Sequence, residues 1–454
     1  MSVSMAARAL LYHRRADSGL VGTVYRQDPK KGAVFVDRVT VPIVDYASDE
    51  LGRIPALDNA ESGRYLVQLA LPNGEVKTEG FDIIKGTDTK LIVDIPHEGP
   101  HEWSSLQALT GEFTAAGAGL EPEAFHRRVD ADYVGRDYAT LRQDPEHGFQ
   151  LRLINLATAA ASLLASDTLP RLAALIHRGA AVGEAEAGLG GGFEIEQPAK
   201  EDNDYALFEF VHAGSLGDGA GKGSFHFGPG SGIERAYLLE KSARGASLIC
   251  LPAPWTKEGE ETEIQLLLNK RTLGGEPDYT LTIGDPMINT ALGYINNGAL
   301  HEAARLVDFQ TAKNLLFHKI SSPLPATMGG YLLVLGLDRS AYKSRSDDWK
   351  NWIDNLYHWF EWLPDGAILR SALYFVLGDK DRNAAYNAVM TAYDRGLPYF
   401  TFGLNLMLEG MRRFANEGET AAKERLETLE VIARVTDPSQ TFLTVEVSRQ
   451  WRAG

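Results

Sequence analysis

Residues 65–76 read Tyr65-Leu66-Val67-Gln68-Leu69-Ala70-Leu71, then Pro72-Asn73-Gly74-Glu75, then Val76. The first seven residues have the apolar character of a β-strand, and a second strand-like run begins at Val76. Asn-Gly between two such runs favours a tight turn, because both residues tolerate positive φ. The stretch therefore predicts an antiparallel β-hairpin.

Strand-like segments continue on both sides of this hairpin, through residues 1–100. Turn residues separate them at intervals of roughly 8–12 residues, which is typical of a β-sandwich. The pattern predicts an antiparallel sandwich that resembles the transthyretin or carboxypeptidase-regulatory type in architecture only, and so implies no activity. The predicted strands are 9–12, 22–25, 33–44, 63–71, 77–84 and 90–95.

A second β region is predicted over residues 205–285, where apolar runs again alternate with Gly and Pro turns. A second antiparallel sandwich is the simplest architecture for it. The predicted strands are 206–212, 232–240, 246–251, 262–269 and 279–283.

Two segments connect the β regions. Residues 101–182 are predicted to be helical, because 151–176 is rich in Ala and Leu. Residues 183–204 combine a glycine cluster with seven acidic residues against Lys200, a composition that predicts a solvated linker. This linker is a candidate site of cleavage or partner binding, centred on Gly190, Gly191, Gly192, Glu194 and Glu196.

Residues 286–436 have helical periodicity and a weak internal repeat. Tyr294 precedes Gly298 by four residues, as Tyr374 precedes Gly378, and paired alanines follow in both cases. The pattern resembles tetratricopeptide-type helix hairpins, about eight helices in all, and leaves 437–454 as a C-terminal tail. The predicted fold class is a multidomain α+β protein with two β-sandwich-like domains, a helical insert and a C-terminal α-helical repeat-like (TPR-like) domain.

Composition excludes several classes of protein. The 454 residues carry 61 acidic against 45 basic side chains, a net charge of -16, which is unfavourable for general nucleic-acid binding. Cys250 is the one cysteine, so no internal disulfide forms and a reducing compartment fits. With no secretory or membrane-spanning pattern, we expect a cytoplasmic protein that does not bind membranes.

One motif has the form H-E-x-x-H: His97, Glu98 and His101, with Gly99 and Pro100 between. A zinc protease needs both histidines on one face of a helix, and Pro100 disfavours helix at this point. We predict an exit turn from the first β region and no metal, with His97 and His101 as the residues of a zinc-hydrolase alternative.

Two other patterns that could indicate a functional site do not meet its requirements. Residues 219–224 resemble a phosphate-binding loop, but Gly223 stands where Ser or Thr must follow Lys222. Cys250 lies in an apolar strand, where a thiol is a small hydrophobe with a raised pKa. We therefore predict no catalytic residue, no cofactor and no enzyme activity.

Tryptophan is concentrated in one short segment. Trp349, Trp352, Trp359 and Trp362 are four of the seven in the chain, and the first three share one helical face with Leu356, Phe360 and Leu363. Core packing is the leading interpretation, with Trp352 and Trp359 in the core. The four are also interaction candidates, because Trp is enriched in binding hot spots.

Four segments resemble uncharacterised bacterial proteins that are encoded near caspase-like or CHAT-type peptidases. They are 284–298, Met328-Gly329-Gly330-Tyr331-Leu332-Leu333, Trp362-Leu363-Pro364-Asp365-Gly366-Ala367-Ile368 and Arg395-Gly396-Leu397-Pro398. The resemblance implies a non-catalytic companion, regulator or substrate of such a peptidase in a bacterial defence or stress system, and it carries no active-site residue.

The predicted function is therefore that of a protein-interaction, scaffold or regulatory protein. The first alternative is the zinc-dependent hydrolase centred on His97, Glu98 and His101. The second is a ligand- or carbohydrate-binding protein that uses the second β region, for which Trp255 and the glycine-rich loop at 215–232 are the only support.

Overall fold

The chain is a mixed helix-and-strand protein in which sheets alternate with helices along the sequence. The structure is a computed structural model. It describes residues 2–9, 19–28, 30–45, 50–72, 76–95, 150–155, 168–179, 184, 193–194, 200–201, 205–210, 235–242, 245–257, 260–262, 264–269, 278–335, 348–378 and 381–449.

The N-terminal region is a curled, half-barrel sheet of seven strands. Its order is β4-β1-β3-β2-β5-β6, with β7 paired to β1. The predicted hairpin is confirmed, because β5 and β6 pair antiparallel with Ala70 opposite Val76. The strands are β1 (Val3–Ala9), β2 (Gly19–Asp28), β3 (Gly32–Asp45), β4 (Gly52–Arg53), β5 (Gly63–Ala70), β6 (Val76–Ile83) and β7 (Thr89–Asp94).

The wholly antiparallel pairing predicted for this region is wrong. β1 pairs in parallel with both β3 and β7. Alternation still sets the core: Tyr65, Val67 and Leu69 of β5 point inward and are buried.

The second β region contains two antiparallel sheets and a short hairpin. One sheet has the order β18-β13-β12-β8-β9, and the other has the order β10-β11-β16-β17. β14 (Thr256–Lys257) and β15 (Glu260–Glu261) form the hairpin. The other strands are β8 (Gln150–Asn155), β9 (Phe193–Glu194), β10 (Lys200–Glu201), β11 (Tyr205–Phe210), β12 (Ala236–Ser242), β13 (Gly245–Cys250), β16 (Ile264–Asn269), β17 (Asp278–Ile283) and β18 (Thr444–Arg449).

Four of these strands lie outside the predicted second β region, 205–285. β8 occupies part of the segment 101–182, β9 and β10 lie in the predicted linker, and β18 lies in the predicted tail. β8 pairs with β12 and β18 with β13, so segments far apart in the sequence complete one sheet. Leu151 and Leu153 alternate with polar residues, the pattern of a strand, within an Ala- and Leu-rich stretch that favours helix.

Ten α-helices occur in the described residues. The first, α1, does lie in the predicted helical segment, and nine follow the second β region, close to the predicted eight. They are α1 (Thr168–Arg178), α2 (Pro286–Asn296), α3 (Leu300–Leu306), α4 (Phe309–Phe317), α5 (Pro323–Leu335), α6 (Asp348–Trp359), α7 (Pro364–Leu377), α8 (Arg382–Arg395), α9 (Thr401–Asn416) and α10 (Thr420–Ala433).

Helix α5 is the centre of the helical region. Its residues from Pro323 to Val334 are all buried, as expected of a helix that is apolar on every side. A Cβ on Gly329 would lie 2.5 Å from the carbonyl oxygen of Ala312, so only glycine allows α4 to approach this closely.

Two hydrophobic cores hold the described residues together. One lies inside the N-terminal sheet. The other is continuous from α1 and the second β region through the helices to β18, and so crosses the predicted boundary between residues 285 and 286.

Candidate interaction surface

The predicted tryptophan face is divided between core and surface. Helix α6 ends at Trp359, and Leu363 belongs to the start of α7, so the predicted continuous helical face is wrong beyond residue 359. Trp349, Ile353 and Leu356 form the buried face of α6, with Trp349 0% exposed. Trp352 and Trp359 are half-buried at the edge of the core, rather than within it.

Two exposed apolar side chains lie at the end of α4, the helix that packs on α6, and in the turn after it. Phe317, the last residue of α4, is 57% exposed, and Ile320 in the following turn is 53% exposed. The Phe317 ring meets the Trp352 ring edge-on, with 5.2 Å between centroids. Grouped exposed apolar side chains are a feature of surfaces that bind other molecules.

Two lysine ammonium groups lie close to the indole rings. The Nζ of Lys319 lies 5.5 Å from the ring centres of both Trp352 and Trp359, and the Nζ of Lys313 lies 5.3 Å from that of Trp352. These are cation–π distances. Phe317, Ile320, Trp352, Trp359, Lys313 and Lys319 are named the aromatic–lysine surface below.

Lys319 is buried to an unusual degree for a lysine, with 5% of its surface exposed. This burial lowers its pKa, because desolvation disfavours the ammonium form. In the described part of the chain, no carboxylate forms an ion pair with Lys319 or Lys313. Asp354 of α6 pairs with Arg370 of α7 at 2.5 Å.

The fourth tryptophan belongs to a different environment. Trp362 is half-buried, and its ring meets those of Phe360 and Tyr399 edge-on at 6.3 and 6.1 Å. It therefore borders a buried polar cluster between the second β region and helices α5, α7 and α9.

Asp365 is the centre of this buried cluster and is 0% exposed. Its two carboxylate oxygens accept hydrogen bonds of 2.8 Å from the Tyr331 hydroxyl and from the backbone N–H of Tyr399. The Arg235 guanidinium lies over the Tyr399 ring, 4.2 Å from its centre, and donates to the carbonyl of Leu397. The second terminal nitrogen of Arg235 is 4.0 Å from the Sγ of Cys250.

Burial governs the proton affinities in the cluster. It raises the pKa of Asp365 to about 6, against the opposing effects of the Tyr399 N–H, the Tyr331 hydroxyl and Arg235. Burial also raises the pKa of Cys250 to about 12, so the thiol is protonated at neutral pH. This confirms the prediction made for Cys250.

The cluster joins three of the segments quoted above for their resemblance. Tyr331, Asp365 and Leu397 come from separate segments, and their polar groups meet in one place. With every one of these groups buried, the geometry favours a structural tie between helices and sheet over a reactive site.

The structure describes few of the other predicted site residues. His97, Glu98, His101, Gly190, Gly191, Gly192 and Glu196 lie outside the described residues, and Glu194 is in β9. Trp255 is 2% exposed and packs edge-on against Phe442, so its ring is not available to a sugar. The described residues hold no group of three metal-ligating side chains and no helix long and apolar enough to cross a membrane.

Sequence reasoning found Trp352 and Trp359 as candidates but missed the residues that complete the surface. Phe317, Lys319 and Ile320 lie at the end of α4 and in the turn after it, 32 positions or more from Trp352. A Phe and an Ile on either side of a Lys in a short turn do not by themselves predict a binding surface. The surface forms because α4 packs on α6.

Comparison with known proteins gives one family match. Residues 290–452 match the family described as the Y4kD C-terminal domain, a little over a third of the chain. No curated protein matches. Among solved structures, a 9R-lipoxygenase from Cyanothece PCC8801 is 9% identical, with a TM-score of 0.15, and the alignment covers 90% of this chain and 66% of that one. A TM-score this low supports no conclusion about fold or activity.

The matched region contains the whole aromatic–lysine surface, together with Tyr331, Asp365 and Tyr399. Arg235 and Cys250 lie outside it.

Proposed function

We propose that the protein is a non-catalytic interaction protein, whose docking surface is the aromatic–lysine surface. The observation that carries this proposal is the exposed Phe317, whose ring contacts half-buried Trp352, with exposed Ile320 in the turn that follows. Interfaces have an aromatic centre and a more polar rim, and tryptophan is prominent among the residues that dominate binding energy.

The architecture suits such a role. The β regions are sandwich-like modules in this proposal, and the helices after residue 285 are a TPR-like platform. Sequential helices contact one another, as α4 contacts α5 and α7 contacts α8. Helix-hairpin platforms present side chains of neighbouring helices on one face, as α4 and α6 do here. One buried thiol, Cys250, supports a cytoplasmic location.

The proposed partner is a caspase-like or CHAT-type peptidase, for which this chain is a companion, regulator or substrate. The resemblance of the four quoted segments is the support for this partner. If the chain is a substrate, the acidic segment 183–204 is the proposed site of cleavage. Incubation of the full chain with a peptidase encoded by a neighbouring gene tests this, because the masses of the fragments locate the cut.

Affinity capture from the native host tests the interaction itself. The tagged full chain is compared with Phe317→Ser and with Phe35→Ser, an exposed aromatic of the N-terminal sheet that is 53% accessible. We expect a protein captured by wild type and by Phe35→Ser but lost with Phe317→Ser. Equal capture by all three would contradict the proposed surface.

A further inference from the structure

The aromatic–lysine surface has two chemically different halves. Phe317 and Ile320 supply accessible apolar area, and Lys313 and Lys319 supply two positive charges next to it. Lys313 and Phe317 are four residues apart on α4 and so lie on the same face of that helix. A ligand that covers the surface must satisfy both halves.

The charged half lacks its counter-ion within the described residues. A lysine with only 5% of its surface exposed often has a carboxylate partner, because attraction to an opposite charge offsets the lost hydration. Lys319 has two indole rings instead, which compensate only part of the lost hydration. Asp354, an acid on the same helix as Trp352, pairs with Arg370. An anionic group on a ligand would supply the opposite charge that the described residues do not place here.

The net charge of the chain disfavours some classes of anionic ligand. A chain with a net charge of -16 repels long polyanions, so nucleic acid and strongly anionic membranes are poor ligands. Two lysines beside two apolar side chains match a short peptide segment with one or two carboxylates. Neutral hydrophobic ligands would leave Lys319 buried without a counter-ion.

We infer that the aromatic–lysine surface binds an acidic segment of a partner protein, in which a carboxylate lies next to a large apolar side chain. The carboxylate pairs with Lys319 and Lys313, and the apolar side chain packs on Phe317 and Ile320. This inference rests on the proposed function and specifies the chemistry of the partner.

Selection from a library of random 12-residue peptides displayed on phage tests the inference, with the full chain as bait. We expect the enriched peptides to contain Asp or Glu next to an apolar residue. Synthetic versions should bind Lys319→Gln and Phe317→Ser at least tenfold more weakly than wild type, and Phe35→Ser equally well. Replacing the peptide carboxylate by its amide should also weaken binding at least tenfold.

Several results would overturn the inference. They are no enrichment, enriched peptides without acidic residues, or equal affinity for wild type and Lys319→Gln. The thermal midpoint of Lys319→Gln shows whether it folds, and Lys313→Gln, a substitution at a more exposed position, replaces it if it does not. A native partner that depends on Phe317, combined with non-acidic selected peptides, would reject this inference and leave the proposed function standing.

Discussion

The hydroxyl of Tyr294 donates a 2.7 Å hydrogen bond to the carbonyl oxygen of Ala70, 224 residues earlier in the chain. The same hydroxyl accepts one of 3.2 Å from the backbone N–H of Val21. The contact joins helix α2 to the last residue of β5 in the N-terminal sheet. Asn297 reinforces it by donating to the carbonyl of Pro72. One buried phenol therefore ties helix α2 to strands β2 and β5 of the N-terminal sheet.

Tyr294→Phe should lower the free energy of unfolding by about 1–3 kcal/mol, because it leaves a buried carbonyl and a buried N–H without their partner. Urea denaturation measures the change. Tyr374→Phe is the matched control, since Tyr374 is half-buried and contributes ring stacking on Phe414. Equal effects of the two substitutions would show that the Tyr294 hydrogen bonds do not hold the sheet to the helix.

Alanine substitutions of Trp349 and Trp352 should have different effects on the free energy of unfolding. Trp349→Ala should lower stability by about 3–5 kcal/mol, the usual cost of truncating a large buried aromatic, because its side chain is fully enclosed. Trp352→Ala should cost less and should weaken partner binding. A larger loss of stability for Trp352→Ala than for Trp349→Ala, in parallel chemical denaturation, would contradict the division into core and surface.

Asp365 should make stability depend on pH. Its pKa is about 6 in the folded chain against 3.8 normally, so between these values the folded state holds more protons than the unfolded state. The contribution of Asp365 to stability is therefore fully present below pH 3.8 and is lost as the pH rises through 6. Tyr331, Tyr399 and Arg235 are the groups that face it.

The comparison with Asp365→Asn isolates this effect. From pH 3.8 to above 6, wild type should lose on the order of 3 kcal/mol relative to the variant, from two pKa units at about 1.4 kcal/mol each. Denaturation at a series of pH values measures the difference. A gap that stays constant over this range would mean that the pKa of Asp365 is not raised.

Gly403 should tolerate no side chain. A Cβ there would lie 2.8 Å from both the Oδ1 of Asp365 and the hydroxyl of Tyr331, which are hydrogen-bonded to each other. Gly403→Ala should therefore destabilise the chain by about 1–3 kcal/mol through overpacking. Gly80→Ala is the control, because its Cβ would have no neighbour closer than 3.6 Å. Similar thermal midpoints for both variants would argue against a closely packed cluster.

Local sequence patterns predict individual strands and helices better than they predict which strands pair with each other. The hairpin of β5 and β6 follows from alternation and from Asn73-Gly74, and all its information lies within 20 residues. The pairing of β8 with β12, or of β18 with β13, depends on segments that are more than 80 residues apart. Nothing in the six residues of β18 specifies the sheet that it joins.

The same limit applies to the sites. In the sequence, the segment that contains Asp365 has the character of a turn. Its hydrogen bonds to Tyr331 and Tyr399 form only when α5, α7 and α9 pack together. Trp352 stood out by composition. Lys319 did not, because an isolated lysine in a turn is ordinary until its neighbours bury it.

Site-specific photo-cross-linking in the native host tests the central claim most directly, by placing p-benzoylphenylalanine at position 317 or at position 35 of the full chain. The two positions are similarly exposed, at 57% and 53%. We predict a covalent adduct with one partner protein from position 317 and none from position 35, and loss of the adduct when Lys319→Gln is added. Absence of an adduct at position 317, or the same adduct from both positions, would contradict the account.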